Sequence, residues 1–508
     1  MSRKIGIASA IWGMSILLSR IIGLIREAVI GRILGAGKEA DVFWTAFVLP
    51  DFLNYLLAGG ALAIVFIPIF GGYLARNEEE KGWEAFSIIA NAIIVLLGSF
   101  LILLWFAVPW LVNLIAPGFD KMQSKQLIAL TRIILPAQLF HVIGGLLSAA
   151  LQARDRHVLP AIAPLIYTGC IITGGLMGGV YAGAYGFAWG VLAGSFLGPF
   201  LMPLIGCIKT GIRWHGTFAL KHPDVKTYFF RSLPIMLGWS IVVVDDWFLR
   251  RQGSLLESGV ISALQYAKTL MKVPMGVFGL ATGVAAYPTL TRLITQGDYR
   301  NAYSTLTSAL KQVLFLAFAA QAVLTCAGPE IARIIYGSRI GVDQHVAIGV
   351  SLGLFSIGLW AWAGQSIVAR GFYAMGKTWI PPILGTTVAV AAYPFYSLSR
   401  MYLGTYGLVF ASTLAISLYM SVLMYLLSRY FEGVSADYLS FFIRTVPATI
   451  SGILPAIMLR PFLTEVNYLL RAGILMVISL LLFLVASKLM KIREFSVLTN
   501  LLKKQSKT

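Results

Sequence analysis

The stretch ARDRHVLP at residues 153–160 recurs in the second half of the chain as AMGKTWIP at residues 374–381. In both copies a short turn separates two apolar runs, and a proline lies near the beginning of the second run. Two further anchors recur at the same spacing to within a single position, Tyr185-Gly186 as Tyr406-Gly407 and Pro68 as Pro288. Chance matching of short Pro and Gly patterns is the alternative, but the shared spacing favours two repeated halves.

The composition is that of a membrane protein. Of the 508 residues, 58% are apolar and 12% are charged, and the mean hydropathy is +0.81. Soluble proteins carry about a quarter charged residues, so this chain has too little polar surface for a water-soluble particle of its size. An ordinary cytosolic enzyme, a secreted disulfide scaffold and a disordered chain are thereby excluded.

Fourteen apolar runs are long enough to cross a bilayer, which takes roughly 20 residues. They lie near residues 6–34, 42–74, 84–115, 126–152, 158–181, 184–208, 225–249, 259–290, 302–327, 345–374, 379–399, 405–428, 439–459 and 467–488. We therefore predict an all-α polytopic membrane protein with two pseudo-symmetric six-helix lobes and two C-terminal helices. The predicted bounds are 1–208 for the first lobe, 209–226 for a cytoplasmic linker, 227–432 for the second lobe, and 433–508 for helices 13 and 14 with a basic tail. Such repeats are typical of transporters that rock two lobes around a central site.

The net charge of +19 has two sources. An even number of spans places both termini on one side, and if that side is the cytoplasm, its loops carry 20 Lys and Arg residues against 9 on the other side. Cytoplasmic loops are the more basic ones, so both termini are predicted to be cytoplasmic. The other 11 cations fall inside predicted spans, where a charge normally faces a cavity or a partner. The excess of positive charge therefore does not imply that the protein binds nucleic acid.

In the first predicted helix, Arg20 and Arg26 are candidates for binding an anionic cargo. Two guanidinium groups that reach one polar cavity would form bidentate hydrogen bonds with phosphate oxygens. Arg20 and Glu27 lie seven residues apart and share a helix face. The alternative is therefore an Arg20–Glu27 ion pair that leaves only Arg26 for the cargo, and helix geometry alone does not separate the two.

In the eighth predicted helix, Lys268 and Lys272 lie one turn apart on the face that carries Gln265. Two ammonium groups at this spacing repel each other, and an anion between them would stabilise both. We predict that they face the cargo cavity. The alternative is that a kink at Pro274 opens this end of the helix to water.

Acidic residues near helix ends have simpler explanations. Asp41 precedes the second predicted helix, where an acidic N-cap is expected. Asp51 follows Pro50 within an apolar run, and it could pair with an arginine of the first helix. Asp246 and Arg250 are spaced for an ion pair within the seventh helix.

No catalytic constellation is evident. The five histidines have no second metal ligand at helical spacing, and no phosphate loop or Ser-His-Asp order is present. Cys170, Cys207 and Cys326 lie in apolar runs, as structural cysteines do. We predict a protein that is not an enzyme, with no resident cofactor and no metal site.

Motifs along most of the chain resemble the MviN/MurJ family of lipid II flippases, within the multidrug/oligosaccharidyl-lipid/polysaccharide exporter superfamily. They are SRIIGLIRE at 19–27, GAG at 35–37, ADVF at 40–43, LPD at 49–51, FIPI at 66–69, APGF at 116–119, QYA at 265–267, PMGVFG at 274–279 and RGFYA at 370–374. The resemblance implies translocation of lipid II, the undecaprenyl-diphosphate-linked disaccharide-pentapeptide, across the bacterial inner membrane. It also implies that the two C-terminal helices form a groove for the lipid tail.

The resemblance maps the family's cavity arginines onto Arg20 and Arg26, and its acidic residue after helix 1 onto Asp41. Two positions depart from the family pattern. An arginine pair of helix 2 is replaced by Asn54 and Tyr55, and an arginine of helix 8 is replaced by Thr269, which lies between the two lysines of that helix. The stretch 386–396, where some members bind a cation, contains no acid and no asparagine.

We therefore predict a monomeric inner-membrane flippase that works by alternating access, driven by the membrane potential or an ion gradient. Its partners are lipid II and membrane lipids. The predicted cargo ligands are Arg20, Arg26, Lys268 and Lys272, and the predicted gating or structural polar residues are Glu27, Asp41, Asp51 and Asn54. One alternative is export of another polyprenyl-diphosphate-linked oligosaccharide. Another is a membrane enzyme acting on lipid-linked glycan, which would need a catalytic acid in a long outer loop.

Overall fold

The computed structural model describes residues 2–58, 61–219, 221–237, 241–431 and 435–495. Within these ranges the chain is mostly helical, and they contain no β-strand. Helices are the expected solution for apolar runs of this length, because a helix satisfies its own backbone hydrogen bonds where no water is available. Packing divides the chain into two compact units, Met1–Ser262 and Ala263–Thr508.

The first unit consists of helices that are often broken by glycine or proline. Their bounds are Ser2–Leu34, Lys38–Thr45, Val48–Ala58, Ala61–Ala75, Glu79–Ile115, Lys121–Ile134, Ala137–Ala153, Val158–Met177, Gly179–Ala182, Ala184–Ser195, the π-helical Phe196–Leu201, Met202–Lys209, Pro223–Leu237 and Ile241–Gly253.

The second unit begins within the helix Val260–Thr295, at Ala263, and includes all the helices that follow it. The remaining bounds are Tyr299–Tyr336, Val342–Ile357, Leu359–Ala374, Ile380–Tyr430, Ser435–Leu459, the 3-10 turn Arg460–Leu463 and Tyr468–Leu489. The long helix Ile380–Tyr430 is interrupted at Gly404, whose φ is 55°. The basic tail predicted beyond residue 495 lies outside the described residues.

The predicted repeat is confirmed by the helix bounds within each unit. The helix Glu79–Ile115 recurs as Tyr299–Tyr336, and each carries an internal proline at the matching position, Pro109 and Pro329. Residues 121–153 form two consecutive helices, and the matching stretch of the second half, Val342–Ala374, does the same. The repeat therefore extends far beyond the short motifs that revealed it.

Backbone conformations recur at the same spacing. A positive φ occurs at three pairs of positions that the repeat superimposes, Asn77 with Gly297, Asp155 with Gly376, and Gly183 with Gly404. L-residues rarely adopt this conformation. Its recurrence at three matched turns shows that both halves end these helices by the same chain reversal.

The anchor glycines Gly186 and Gly407 have a common packing reason. A Cβ atom on Gly186 would lie 2.4 Å from the carbonyl carbon of Gly178, and one on Gly407 would lie 2.0 Å from the carbonyl oxygen of Ser399. Both positions therefore require glycine so that two backbones can approach closely, as small residues allow in membrane proteins.

Among the described residues, eight helices are long and apolar enough to cross a membrane, or nine if the bent pair Val342–Ile357 and Leu359–Ala374 is one span. The count covers only the described residues, so the number of fourteen spans stays a prediction. The predicted domain bounds rest on the repeat and also stay a prediction. Packing places Pro223–Leu237 and Ile241–Gly253 in the first unit, beside Ala61–Ala75 and Val48–Ala58 respectively.

Candidate functional site

Arg26 and Glu27 form an ion pair inside the first helix. Arg26 Nη2 donates to Glu27 Oε1 at 2.6 Å, and the Glu27 side chain is only 4% exposed. The alternative pairing of Glu27 with Arg20 is therefore wrong, and Arg20 is exposed. Adjacent residues on a helix diverge by about 100°, so the Arg26 side chain must turn towards Glu27, whose buried carboxylate requires a partner.

Arg26 has further polar neighbours from other helices. Tyr167 and Asp51 both interact electrostatically with it, so the structure brings three of the predicted residues, Arg26, Glu27 and Asp51, into one neighbourhood. The Arg26 Nε is buried and has no hydrogen-bond partner among the described residues. A buried donor without an acceptor is costly, and an anionic ligand would satisfy it.

Asp51 reaches an arginine that the sequence pattern assigned elsewhere. Arg250 Nη1 lies 3.4 Å from Asp51 Oδ2, and the Arg250 side chain is 8% exposed. Helical spacing predicts Asp246 as the partner of Arg250. The helix Ile241–Gly253 instead carries it to a cavity of about 330 Å³, together with Asn54 and further residues. The cavity is lined by Asp51, Asn54, Tyr55, Val243, Asp246, Trp247 and Arg250.

Asp41 caps a different helix from the one predicted. Its two carboxylate oxygens accept hydrogen bonds from the backbone N–H groups of Gly259 at 2.6 Å and Ser262 at 2.7 Å. These groups belong to the first turn of Val260–Thr295, whereas Gly37 is the N-cap residue of Asp41's own helix, Lys38–Thr45. A carboxylate at a helix N-terminus satisfies donors that have no intrahelical acceptor.

Burial raises the pKa of Asp41 to about 6, although the two backbone donors oppose the shift. Because the folded pKa lies above the unfolded value of 3.8, Asp41 adds most to stability below pH 4 and loses that contribution as the pH rises towards 6. We expect Asp41→Asn to remove a pH dependence of the order of 3 kcal/mol across this window. Thermal unfolding of both proteins in detergent at several pH values measures it, and parallel pH profiles would contradict it.

Lys268 and Lys272 belong to the second unit. Lys268 is 1% exposed, and its ammonium lies 4.9 Å from the centroid of the Trp362 ring, a cation–π contact that stabilises a buried charge. Lys272 is half-buried. Lys268 thus has a protein partner in the structure described, and the predicted role of both lysines as cargo ligands stays a prediction.

Other cations of the predicted spans also have protein partners. Arg132 lies 4.2 Å from the centroid of the Trp105 ring, and its Nε donates to the Trp105 carbonyl oxygen. Lys311 lies 5.9 Å from the centroid of the Tyr438 ring. These cations were counted among eleven possible cargo ligands, and aromatic contacts account for them without a ligand.

The second unit contains an ionic cluster that the sequence reading missed. Glu330 is fully buried, and its Oε1 lies 3.0 Å from Arg460 Nη2 and 2.9 Å from Arg471 Nε. The cluster joins the end of Tyr299–Tyr336 to the 3-10 turn Arg460–Leu463 and to the first turn of Tyr468–Leu489. The available signal was a glutamate directly after Pro329, three residues beyond the end of the apolar run 302–327.

Repeated helical bundles with ionic groups enclosed between apolar helices define a polytopic membrane transporter. The fold is similar to that of a multidrug resistance MATE family transporter of the MOP superfamily in its inward-facing conformation, with a TM-score of 0.67 and 16% identity over 82% of this chain and 98% of that one. It is also similar to the lipid II flippase MurJ in an inward closed conformation, with a TM-score of 0.77 and 22% identity over 94% of this chain and 98% of that one.

The family model described as lipid II flippase MurJ matches residues 30–481. A probable lipid II flippase MurJ of Rhizobium tropici is 26% identical over 75% of this chain and 72% of its own length. The lipid II flippase MurJ of Burkholderia cenocepacia is 28% identical over 70% of this chain and 71% of its own length. The chain therefore belongs to the MurJ family.

Proposed function

We propose that this protein translocates lipid II from the cytoplasmic to the outer leaflet of the bacterial inner membrane. The observation that carries the proposal is the family match, which extends over residues 30–481 and so covers most of both repeated halves. The Arg26–Glu27 pair agrees with it, because a guanidinium among apolar helices can bind a diphosphate. The protein acts as a transporter and carries out no bond chemistry on the lipid.

In this proposal, the cargo diphosphate is bound by Arg26 with Arg20, Lys268 and Lys272, and the two halves expose these residues alternately to each side of the membrane. Glu27 orients the Arg26 guanidinium, so that fewer side-chain conformations are lost when the cargo binds. The polyprenyl tail follows the two C-terminal helices, whose outward faces are apolar. Exposed residues there include Leu454, Met458, Val477 and Leu481.

The energetics of the proposal follow from charge. An inside-negative membrane potential of 100 mV contributes about 2.3 kcal/mol per elementary charge that crosses the membrane. It favours export of an anionic headgroup, and it also favours inward return of a carrier that has bound a cation. The protein works without a resident cofactor, as a monomer, with both termini in the cytoplasm.

The direct test is acute depletion of this protein in its host, followed by measurement of lipid II in the outer leaflet. We expect outer-leaflet lipid II to fall by at least about tenfold while inner-leaflet lipid II accumulates, since spontaneous crossing must desolvate a charged headgroup. Re-expression of the wild-type chain should restore the distribution. An unchanged outer-leaflet pool after depletion would refute the proposed function.

A further inference from the structure

The cavity beside Asp51 and Arg250 contains charged groups of both signs. One face of Val48–Ala58 and one face of Ile241–Gly253 line it, since the lining residues recur at helical spacing on each helix. Its carboxylates are Asp51 and Asp246, its guanidinium is Arg250, and Asn54 provides a neutral amide. All of these residues belong to the first unit.

The two helices that form the cavity are fixed to each other. Trp247 Nε1 donates to the Val48 carbonyl oxygen at 3.3 Å. The rings of Phe52 and Trp247 pack with their centroids 5.1 Å apart. The lining is therefore organised before any ligand enters, which lowers the entropy cost of binding.

The hydrogen-bond donors of the Arg250 guanidinium are only partly satisfied by the protein. Its side chain is 8% exposed, but the separation from Asp51 is 3.4 Å, longer than the 2.7–2.9 Å of a strong charge-assisted hydrogen bond. Its Nε is buried and has no hydrogen-bond partner in the described part of the chain. Asp51 is 49% exposed on its side chain, so a ligand can reach the carboxylate and the guanidinium from one opening.

The mixture of charges selects the chemical class of the ligand. A simple anion bound at Arg250 would face two carboxylates, and a simple cation would face a buried guanidinium. An ammonium and a carboxylate carried by one small group can satisfy both, with the carboxylate on Arg250 and the ammonium beside Asp51 and Asp246. We propose that this cavity binds a zwitterionic amino-acid side chain of the cargo's stem peptide, an inference that rests on the proposed lipid II flippase function.

The test uses the full-length protein in detergent and two soluble muramyl pentapeptides. One carries diaminopimelate at its third position, with an ammonium and a carboxylate, and the other carries lysine, with the ammonium alone. We expect the wild-type protein to bind the diaminopimelate peptide about tenfold more tightly, because only this peptide carries an ammonium and a carboxylate on the same side-chain carbon, where they can reach Asp246 and Arg250 together. Calorimetric titration measures both affinities.

Substitutions show which residue causes the preference for the diaminopimelate peptide. Arg250→Gln should abolish it by weakening only the diaminopimelate peptide, whereas Asp246→Asn should weaken both peptides. Arg251→Gln is the matched control, because the Arg251 guanidinium donates to the Leu114 carbonyl outside the cavity lining. Arg250→Lys tests the same position with the charge retained, and it should keep only part of the preference if Arg250→Gln does not fold.

Two results would overturn the inference. The first is equal binding of the two peptides by the wild-type protein, and the second is a preference that survives in folded Arg250→Gln. Either result leaves the proposed function intact if depletion of the protein still traps lipid II in the inner leaflet. An unchanged lipid II distribution after depletion would instead refute the proposed function, whatever the peptide preference.

Discussion

Arg26→Ala should reduce lipid II export by at least about tenfold and should fail to support growth when it is the only copy, because a lost hydrogen bond to a charged group costs about 1.5–3 kcal/mol. The substitution removes the guanidinium assigned to the diphosphate. It also leaves the Glu27 carboxylate, which is 4% exposed, without its partner at 2.6 Å. The measurement is outer-leaflet lipid II in cells that express the variant at wild-type level.

The loss of export must be separated from simple misfolding. In the double variant Arg26→Leu with Glu27→Gln, no buried charge is left uncompensated, so we expect thermal stability in detergent to recover. Export should stay low, because the cargo ligand is still absent. Arg26→Lys should retain partial export, since an ammonium keeps the charge but loses the forked geometry. Wild-type export by the double variant would show that Arg26 serves only to neutralise Glu27.

Glu330→Gln should lower the free energy of unfolding by about 3 kcal/mol, as expected when one partner of a buried ion pair is removed. The carboxylate is fully buried and holds Arg460 and Arg471 on a single oxygen. Its loss leaves two guanidinium groups close together without a counter-charge. Thermal and denaturant unfolding in detergent measure the effect, and limited proteolysis should show earlier cleavage between the two C-terminal helices.

Glu465→Gln is the matched control for this experiment. Glu465 is exposed in the turn between Arg460–Leu463 and Tyr468–Leu489, so the same chemical change there should alter stability by less than about 0.5 kcal/mol. Adding Arg460→Gln to Glu330→Gln should recover part of the lost stability, because it removes one uncompensated charge. Equal free energies of unfolding for the wild-type and Glu330→Gln proteins would show that the cluster stabilises the fold no more than an exposed ion pair does.

Much of the architecture could be predicted from local pattern. The apolar runs predicted an all-helical membrane protein, and three short anchors predicted the repeat that the helix bounds and the matched backbone turns confirm. Gly186 and Gly407 explain why such short motifs were enough to predict the repeat. Both lie where a side chain would overlap a neighbouring backbone, so the packing of each half permits little else at those positions.

The partners of the charged residues were harder to predict. Helical spacing allowed an Arg20–Glu27 pair as one of two alternatives and predicted an Asp246–Arg250 pair. The structure pairs Arg26 with Glu27 and brings Arg250 to Asp51. Periodicity identifies groups that share a face of one helix. It does not predict which other helix packs against that face. The neighbouring helix determines which residue becomes the ion-pair partner of a buried charge.

The amino-acid sequence by itself therefore determined the class of protein, the repeat and the presence of cations inside apolar helices, because each follows from composition or from spacing along one chain. Only the tertiary structure decided that Asp41 caps a helix beginning at Val260, that Glu330 binds Arg460 and Arg471, and that Arg250 lines a cavity. These contacts join groups that lie far apart along the chain. Such pairs form because helix packing removes at least one of the two groups from water, where an unpaired charge is costly.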